Sequence, residues 1–539
     1  MKQFVKKILI FMLILSTGWM LCSNATASVV QEQTPIDSKK GGTIWTRSFS
    51  TGGTSYNSVP IITDSTLYVV NENILYELDL KGNILRKLTL CKKMNSVCHM
   101  ILQDKKMYIP LSGGVMECVD IRNFSSLWTS ESFGGQSLSK VIYYNGYVYA
   151  GTTTIVDSSS TKGVFFCLDA KNGNTIWTYE DTENPGGYYW SGAVIAKNRL
   201  YFSGDNGKLV SHSLLTGETY EILSLTQTAK VRAGLIWNED SETLYTSSND
   251  GILHRIFLSD DGSFHNVSTL DLYPGATDKN CTSTPVICNN RIYIGSFAEG
   301  YGYLSVIDLA SFTLRYRVRG NKSAEIKATP LVSTGYATEE NNNKVYIYVT
   351  YNAPPGGIYY MEDSETAATG TLQTLYTPST AKQFCLSSIV SGKDGTLYYS
   401  NDSGTLFAVR EVTISSDRIP TAVPTSSAGT QKAEPTATPV IPKTEKITKP
   451  KKPSQIKVKK KKKKGKKNYT LTWKKNTKNS QTLVYIRQNS GSWKRHVIKK
   501  KCSYSFSSTK KKIRIRLRSR YKQSGKWIYS SYTKTKKLS

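Results

Sequence analysis

Three aromatic residues in a row stand on a glycine-rich segment, Asn184-Pro185-Gly186-Gly187-Tyr188-Tyr189-Trp190. Flat, stiff side chains on such a segment suit stacking on a sugar ring or gripping a peptide. Arg232 and Lys327 begin apolar runs comparable to the one that follows Trp190, and each would add positive charge beside the aromatics. Tyr188, Tyr189, Trp190, Arg232 and Lys327 are therefore the candidate ligand-binding residues. The competing reading is that Trp190 only packs between structural units.

Catalytic chemistry is poorly supplied. His99, His212, His254 and His265 are scattered and share no triad spacing. No Cys-x-x-Cys pair occurs at metal-ligand spacing. No catalytic residue, metal ligand or cofactor is assigned, and the chain reads as a non-enzyme. Cys91 and Cys98 flank a short loop and could pair.

A second group of residues points to electrostatics. The net charge is +31, yet residues 1–410 hold 34 Lys/Arg against 36 Asp/Glu. Residues 446–539 hold 34 Lys/Arg and no Asp or Glu. Lys459, Lys460, Lys461, Lys462, Lys463 and Lys464 form an unbroken block, expected to stay solvated. In Lys512-Ile513-Arg514-Ile515-Arg516-Leu517-Arg518 the alternation puts apolar residues on one strand face and Arg514, Arg516 and Arg518 on the other. A surface free of acids attracts polyanions by counterion release. The expected partners are cell-envelope polyanions such as teichoic acids, with a surface protein or glycan for the aromatic segment. Base-reading motifs are not evident, so specific nucleic-acid binding is not expected.

The elements that must position these residues repeat. One copy reads Val59-Pro60-Ile61-Ile62, then Leu67-Tyr68-Val69-Val70, then Leu75-Tyr76-Glu77-Leu78-Asp79. Eight copies begin near Ser58, Cys98, Leu138, Ser191, Arg232, Ser283, Ala328 and Leu386. Their second runs carry Tyr68, Tyr108, Tyr149, Tyr201, Tyr245, Tyr293, Tyr346 and Tyr398 at matching places, read as structural. A fourth run follows a Gly turn, as in Gly173-Asn174-Thr175-Ile176-Trp177. Units of 40 to 58 residues built from short strands predict a β-propeller. The last copy stops at Leu406-Phe407-Ala408-Val409-Arg410, without its Gly-x-x-x-Trp strand; Gly41-Gly42-Thr43-Ile44-Trp45 supplies one at the other end. The expected fold is all-β: an eight-bladed β-propeller over 42–410, closed by the N-terminal strand, plus a small β-sandwich.

The Pro-val-val … leu-Tyr-val-gly … leu-tyr-ala-leu-Asp … Gly-x-x-x-Trp pattern resembles the repeat of pyrroloquinoline-quinone-type propellers. That superfamily contains quinoprotein dehydrogenases and noncatalytic BamB-like scaffolds. The dehydrogenases use adjacent bonded cysteines, acidic calcium ligands and a catalytic Asp. This sequence has no Cys-Cys pair, so the scaffold branch is the better expectation. Ser203-Gly204-Asp205-Asn206-Gly207 and Ser400-Asn401-Asp402-Ser403-Gly404-Thr405 resemble the Asp-box turns of sialidases, at places where a tight turn is needed anyway. Residues 453–539 resemble a fibronectin type III domain of secreted Gram-positive proteins, with Trp473 as its buried second-strand Trp and Trp527-Ile528-Tyr529 leading into its last strand.

Residues 1–27 read as an export signal: basic Lys2, Lys6 and Lys7, an apolar core, and Ala25-Thr26-Ala27 for cleavage. Residues 411–452 are a Pro/Thr-rich linker. The expected location is secreted or cell-surface associated. The favoured function is a non-catalytic binding or scaffold protein. The alternative is an enzyme acting on a carbohydrate or a quinone-dependent substrate in the propeller channel.

Overall fold

The computed structural model describes residues 30–31, 41–50, 53–338 and 340–411, then 450–463, 466–474, 480–488, 494–498, 501–510, 512–523, 526–530, 533 and 535–538. The chain divides into two compact units, Met1–Ile414 and Ser415–Ser539. The expected export signal, Lys464 and nearly all of the linker lie outside the described residues. No described helix is long and apolar enough to cross a membrane.

The first unit is a β-propeller of eight antiparallel blades among the described residues; Val30–Gln31 adds in parallel to the first strand of blade 7, and Thr154–Ile155 pairs Thr161–Lys162 in a separate hairpin. Blade 1 runs Ile61–Ile62, Thr66–Asn71, Ile74–Asp79 and Ile84–Thr89. Its second and third strands are buried almost throughout, whereas its fourth alternates half-buried with exposed residues. The sequence mirrors this, because strands sandwiched between neighbouring blades need apolar residues on both faces. Six more blades repeat the plan. Blade 8 takes Val390–Ser391, Leu397–Asn401 and Thr405–Glu411, and completes itself with Gly41–Ser48 from the chain's start. Trp45 lies opposite Ala408 and Thr46 opposite Phe407. The expected closure is present.

The repeated Tyr and Trp residues hold each blade to the next. Tyr108, Tyr149 and Tyr201 donate their hydroxyls to the carbonyls of Ala170, Leu214 and Gly262, each in a turn of the following blade. Trp45, Trp128 and Trp177 donate their indole N–H to Leu80, Ala170 and Leu214 in the same turns. Glycine is required where the ring lands: a Cβ on Gly173 would lie 2.5 Å from the Trp128 ring, and one on Gly82 2.6 Å from Trp45. These two glycines also have φ of 79° and 85°. Two expectations are corrected. In blade 7 the residue in register is Tyr348, opposite Leu331; Tyr346 lies one pleat further along, opposite Ser333. Cys91 and Cys98 do not pair: Cys98 is enclosed in the core while Cys91 is exposed, and all eight described cysteines are free.

Blades 6 and 7 share a buried ionic network. Arg291 places Nη1 at 2.6 Å and 2.9 Å from the two Asp363 oxygens. Tyr293 and Tyr316 donate their hydroxyls to the same carboxylate at 2.7 Å and 2.5 Å. The side chains of Arg291 and Asp363 are only 4% and 0% exposed, so this charge is held entirely by protein.

The second unit is a sandwich of two antiparallel sheets. One contains Ser454–Lys463, Lys466–Lys474 and Ser503–Ser508. The other contains Lys494–Ile498, Gln481–Gln488 and Ile513–Gln523, with Lys526–Tyr529 and Lys536–Leu538 both pairing the last of these. Leu471 and Trp473 from the first sheet pack on Val484, Ile486, Ile515 and Leu517 from the second. Trp473 is buried, and its indole donates to Thr482 Oγ1 at 3.0 Å.

Candidate functional site

Each first strand is preceded by an extended tripeptide: 57–59, 97–99, 138–140, 190–192, 232–234, 282–284, 327–329 and 386–388. Neighbouring tripeptides touch through bonds such as Val59 N–H to Cys98 O and Lys140 N–H to Ser191 O. The middle residue is always small and buried, from Ser58 and Cys98 to Ala328 and Ser387. The pleat turns the first and third residues the other way, toward the centre of the ring. A cavity of about 50 Å³ at that centre is lined by first and third residues of six tripeptides, among them His99, Trp190, Arg232, Thr284, Lys327 and Ser388.

Three of the five predicted ligand-binding residues therefore line one cavity: Trp190, Arg232 and Lys327. Trp190 has φ of 58°, unusual for a bulky residue and costly unless its surroundings hold it. The Lys327 ammonium lies 5.7 Å from its ring centroid. Tyr189 is set edge-on to Trp190 at 4.5 Å, and the Arg232 guanidinium stacks on Tyr189 at 4.3 Å. Tyr188 is a correction. It is 3% exposed, with its ring edge-on to Phe165 at 5.2 Å and to Phe202 at 5.7 Å. Residues 188–190 are not a strand, and the positive φ at Trp190 breaks the alternation, so Tyr188 fills the seam between blades 3 and 4 while Trp190 turns to the cavity.

The charges around the cavity are partly matched. Arg232 forms a bidentate pair with Asp205, at 2.9 Å and 2.8 Å. Asp205 sits in the Ser-Gly-Asp-Asn-Gly turn between the second and third strands of blade 4, where sequence reading assigned only a turn. Glu325 stands 3.8 Å from Lys327. It already accepts bonds from the Thr282 N–H and hydroxyl and from Asn280 Nδ2.

Two residues facing the centre were missed, His99 and Lys140. They occupy third positions, and the two-residue period that marks Trp190, Arg232 and Lys327 would have marked them too. Burial, and then Lys140, hold the His99 imidazole down at about 3. Burial also lowers the Lys140 ammonium. Asp402, in the matching turn of blade 8, is pushed up to about 7 by burial. Its Oδ1 has no hydrogen-bond partner among the described residues.

In the second unit the lysine block is part of a strand rather than a lead into the module, and its described side chains are exposed, as expected. Lys459, Lys460 and Lys461 are exposed on a regular strand, paired with Thr470, Tyr469 and Asn468. Lys462 and Lys463 continue it, opposite Lys467 and Lys466. Hydrogen bonding to the neighbouring strand overrides the mutual repulsion of the block. Ile513, Ile515 and Leu517 face the core as expected, which turns Arg514, Arg516 and Arg518 outward. Arg516 is nevertheless buried at 6% exposure beside Tyr485, and Arg514 and Arg518 are half-buried.

The family model described as outer membrane protein assembly factor BamB matches residues 31–267, under half of the chain. No curated protein matches by sequence. Among solved structures, quinohemoprotein alcohol dehydrogenase from Comamonas testosteroni is 11% identical, with TM-score 0.51, covering 73% of this chain and 80% of its own. The C-terminal WD40 domain of Sif2 is 10% identical, with TM-score 0.52, over 69% of this chain and 99% of its own. BamB from Moraxella catarrhalis is 13% identical, with TM-score 0.46, over 69% and 98%. The family match over residues 31–267 and the two structures with TM-scores above 0.5 support the β-propeller fold.

The quinoprotein likeness raises the question of a quinone. The residues present do not fit one. The cavity of about 50 Å³ is far below the several hundred that enclose an organic cofactor. No first or third residue of the eight tripeptides is a carboxylate that could hold a divalent cation beside it. Among the described residues no group of three or more His, Cys, Asp and Glu is placed to hold a metal.

Proposed function

We propose that this chain is an exported, non-catalytic binding protein that works as a scaffold at the cell surface. The observation that carries the reading is the convergence of Trp190, Arg232 and Lys327 from three different blades on one cavity. An aromatic platform flanked by fixed cations is equipped to hold a ligand or a partner's side chain. The matched description, an assembly factor, supports a protein partner. A catalytic alternative needs free carboxylates converging at the channel, and the two beside its cations, Asp205 and Glu325, are committed to Arg232 and to Thr282.

The second unit is read as the anchor. Its sheets join the first, second and fifth strands on one side and the third, fourth, sixth, seventh and eighth on the other; apart from the seventh, which only extends the sixth as a hairpin, this follows the order of a fibronectin type III domain. Its cations outnumber its acids 34 to 0 over residues 446–539. Teichoic acids and anionic glycans are the matching polymers.

Two measurements test this. Full-length protein is bound to purified Gram-positive cell walls and washed with rising salt. Release between about 0.1 and 0.5 M, with earlier release after Lys459, Lys460 and Lys461 are changed to Gln, is expected. Retention indifferent to salt would reject the electrostatic anchor. Trp190→Ala should abolish partner capture and leave melting nearly unchanged. A large fall in melting temperature would instead make Trp190 a packing residue.

A further inference from the structure

We propose that the bore of the propeller is a receptor for a small oxyanion, a carboxylate or phosphate group, held between Lys140 and Lys327. The inference rests on the binding reading above and names the chemistry that the cavity accepts. Across the eight tripeptides, the ionisable side chains at first and third positions are Arg232, Lys327, His99 and Lys140, and none is acidic.

These four are not equivalent. Arg232 is neutralised by its bidentate pair with Asp205. Lys327 is only partly matched, because Glu325 stands 3.8 Å away with its oxygens given to Thr282 and Asn280. Lys140 has neither a hydrogen bond from its ammonium nor an ion pair among the described residues. Its stem lies on Gly192, where a Cβ would come within 3.1 Å of it, so glycine there leaves the lysine its path along the wall. Lys140 belongs to blade 3 and Lys327 to blade 7. Blades four apart in a ring of eight face each other, so the two side chains start from opposite walls, Lys327 lining the cavity directly and Lys140 acting on His99, which lines it.

An oxyanion between them would satisfy both charges, with the Thr284 and Ser388 hydroxyls, which also line the cavity, placed to donate to its remaining lone pairs. His99 is neutral at physiological pH and adds a hydrogen-bonding group without adding charge. Size sharpens the match. A cavity of about 50 Å³ takes a head group of a few heavy atoms. Whatever carries the anion would rest on Trp190 and Tyr189.

The test uses full-length protein at constant ionic strength, with chloride exchanged for inorganic phosphate or for acetate. The thermal midpoint of the propeller is read in the wild type, Lys140→Met, Lys327→Met and Lys140→Arg. Phosphate or acetate should raise the wild-type midpoint by about 3 °C at a hundredfold excess over its dissociation constant. Each Met variant should lose the rise, and Lys140→Arg should keep it. A rise with phosphate alone assigns a phosphate head group; a rise with acetate assigns a carboxylate. Any response of the basic sandwich is common to all four proteins and cancels in the comparison. If Lys140→Met does not fold, Lys327→Met gives the same reading. No rise in the wild type, or a rise that survives in the Met variants, overturns the proposal. Should that happen while Trp190→Ala still abolishes partner capture, the binding role stands and only the anion is lost.

Discussion

Removing one charge from the Asp363 network should cost more than removing both. Asp363 accepts two bonds from Arg291 and one each from Tyr293 and Tyr316, with no exposed side-chain surface. Asp363→Asn keeps the shape but leaves the Arg291 guanidinium buried without a counter-charge. Breaking such a pair from one side costs about 3–5 kcal/mol. Unfolding entropy is about 2.1 cal/mol/K per residue, so a propeller of about 370 residues changes by roughly 0.8 kcal/mol per degree. The expected fall in midpoint is therefore about 4–6 °C. Replacing both partners, as Arg291→Met with Asp363→Leu, should recover most of it, because an apolar pair carries no desolvation cost. Calorimetry on the wild type, the single variant and the double variant reads this directly. A single-variant fall below about 1 °C, or a double variant no better than the single, would refute the reasoning.

Three further outcomes follow from the same structure. Burial holds the Asp402 carboxyl up at about 7, whereas an unfolded Asp titrates near 3.9, so the folded state keeps a proton that the unfolded state releases. Stability should therefore fall as pH rises from about 4 to 7 and then level off, by up to about 4 kcal/mol from this group; Asp402→Asn should flatten that slope in thermal scans, and an unchanged slope would clear Asp402. Gly82→Ala meets both a φ of 85° and the Trp45 ring, and should cost about 2–4 kcal/mol; adding Trp45→Ala should relieve the steric share, and strict additivity in that cycle would deny the contact. Lys459, Lys460 and Lys461 stand exposed in succession on one strand, so moving from low to about 0.5 M salt should raise the sandwich midpoint, and a fall would contradict it.

Much of the architecture was legible because its grammar is local and repeated. Two middle strands buried on both faces read as apolar runs, and Trp45 stood out as a fourth-strand Trp without a blade of its own. The site was half legible. Trp190, Arg232 and Lys327 could be placed by counting from each repeat, but His99 and Lys140 hide two residues downstream, among residues that pack. Tyr188 looked identical to its neighbours, and only the bend with positive φ at Trp190 separates a ring in the seam from a ring at the cavity. Tyr346 was chosen over Tyr348 because both sit in one Tyr-rich strand, Val345–Val349. The lysine block's place in a strand was missed because repulsion along a strand is visible in sequence, whereas the neighbouring strand that fixes it is not. The partner of Arg232 lies 27 residues away in a turn whose sequence already explained itself.

The Gly41–Ser48 strand has a consequence for the order of events during chain growth. Its partner, Thr405–Glu411, is made more than 350 residues later. Until then the Gly41–Ser48 strand has no native seat, and blade 8 has an unprotected edge waiting for it. Loop closure over that span is the last long-range contact the wheel can form, and a slow one. A nascent or shortened chain would thus remain unlocked, and locking would certify that synthesis had reached Glu411.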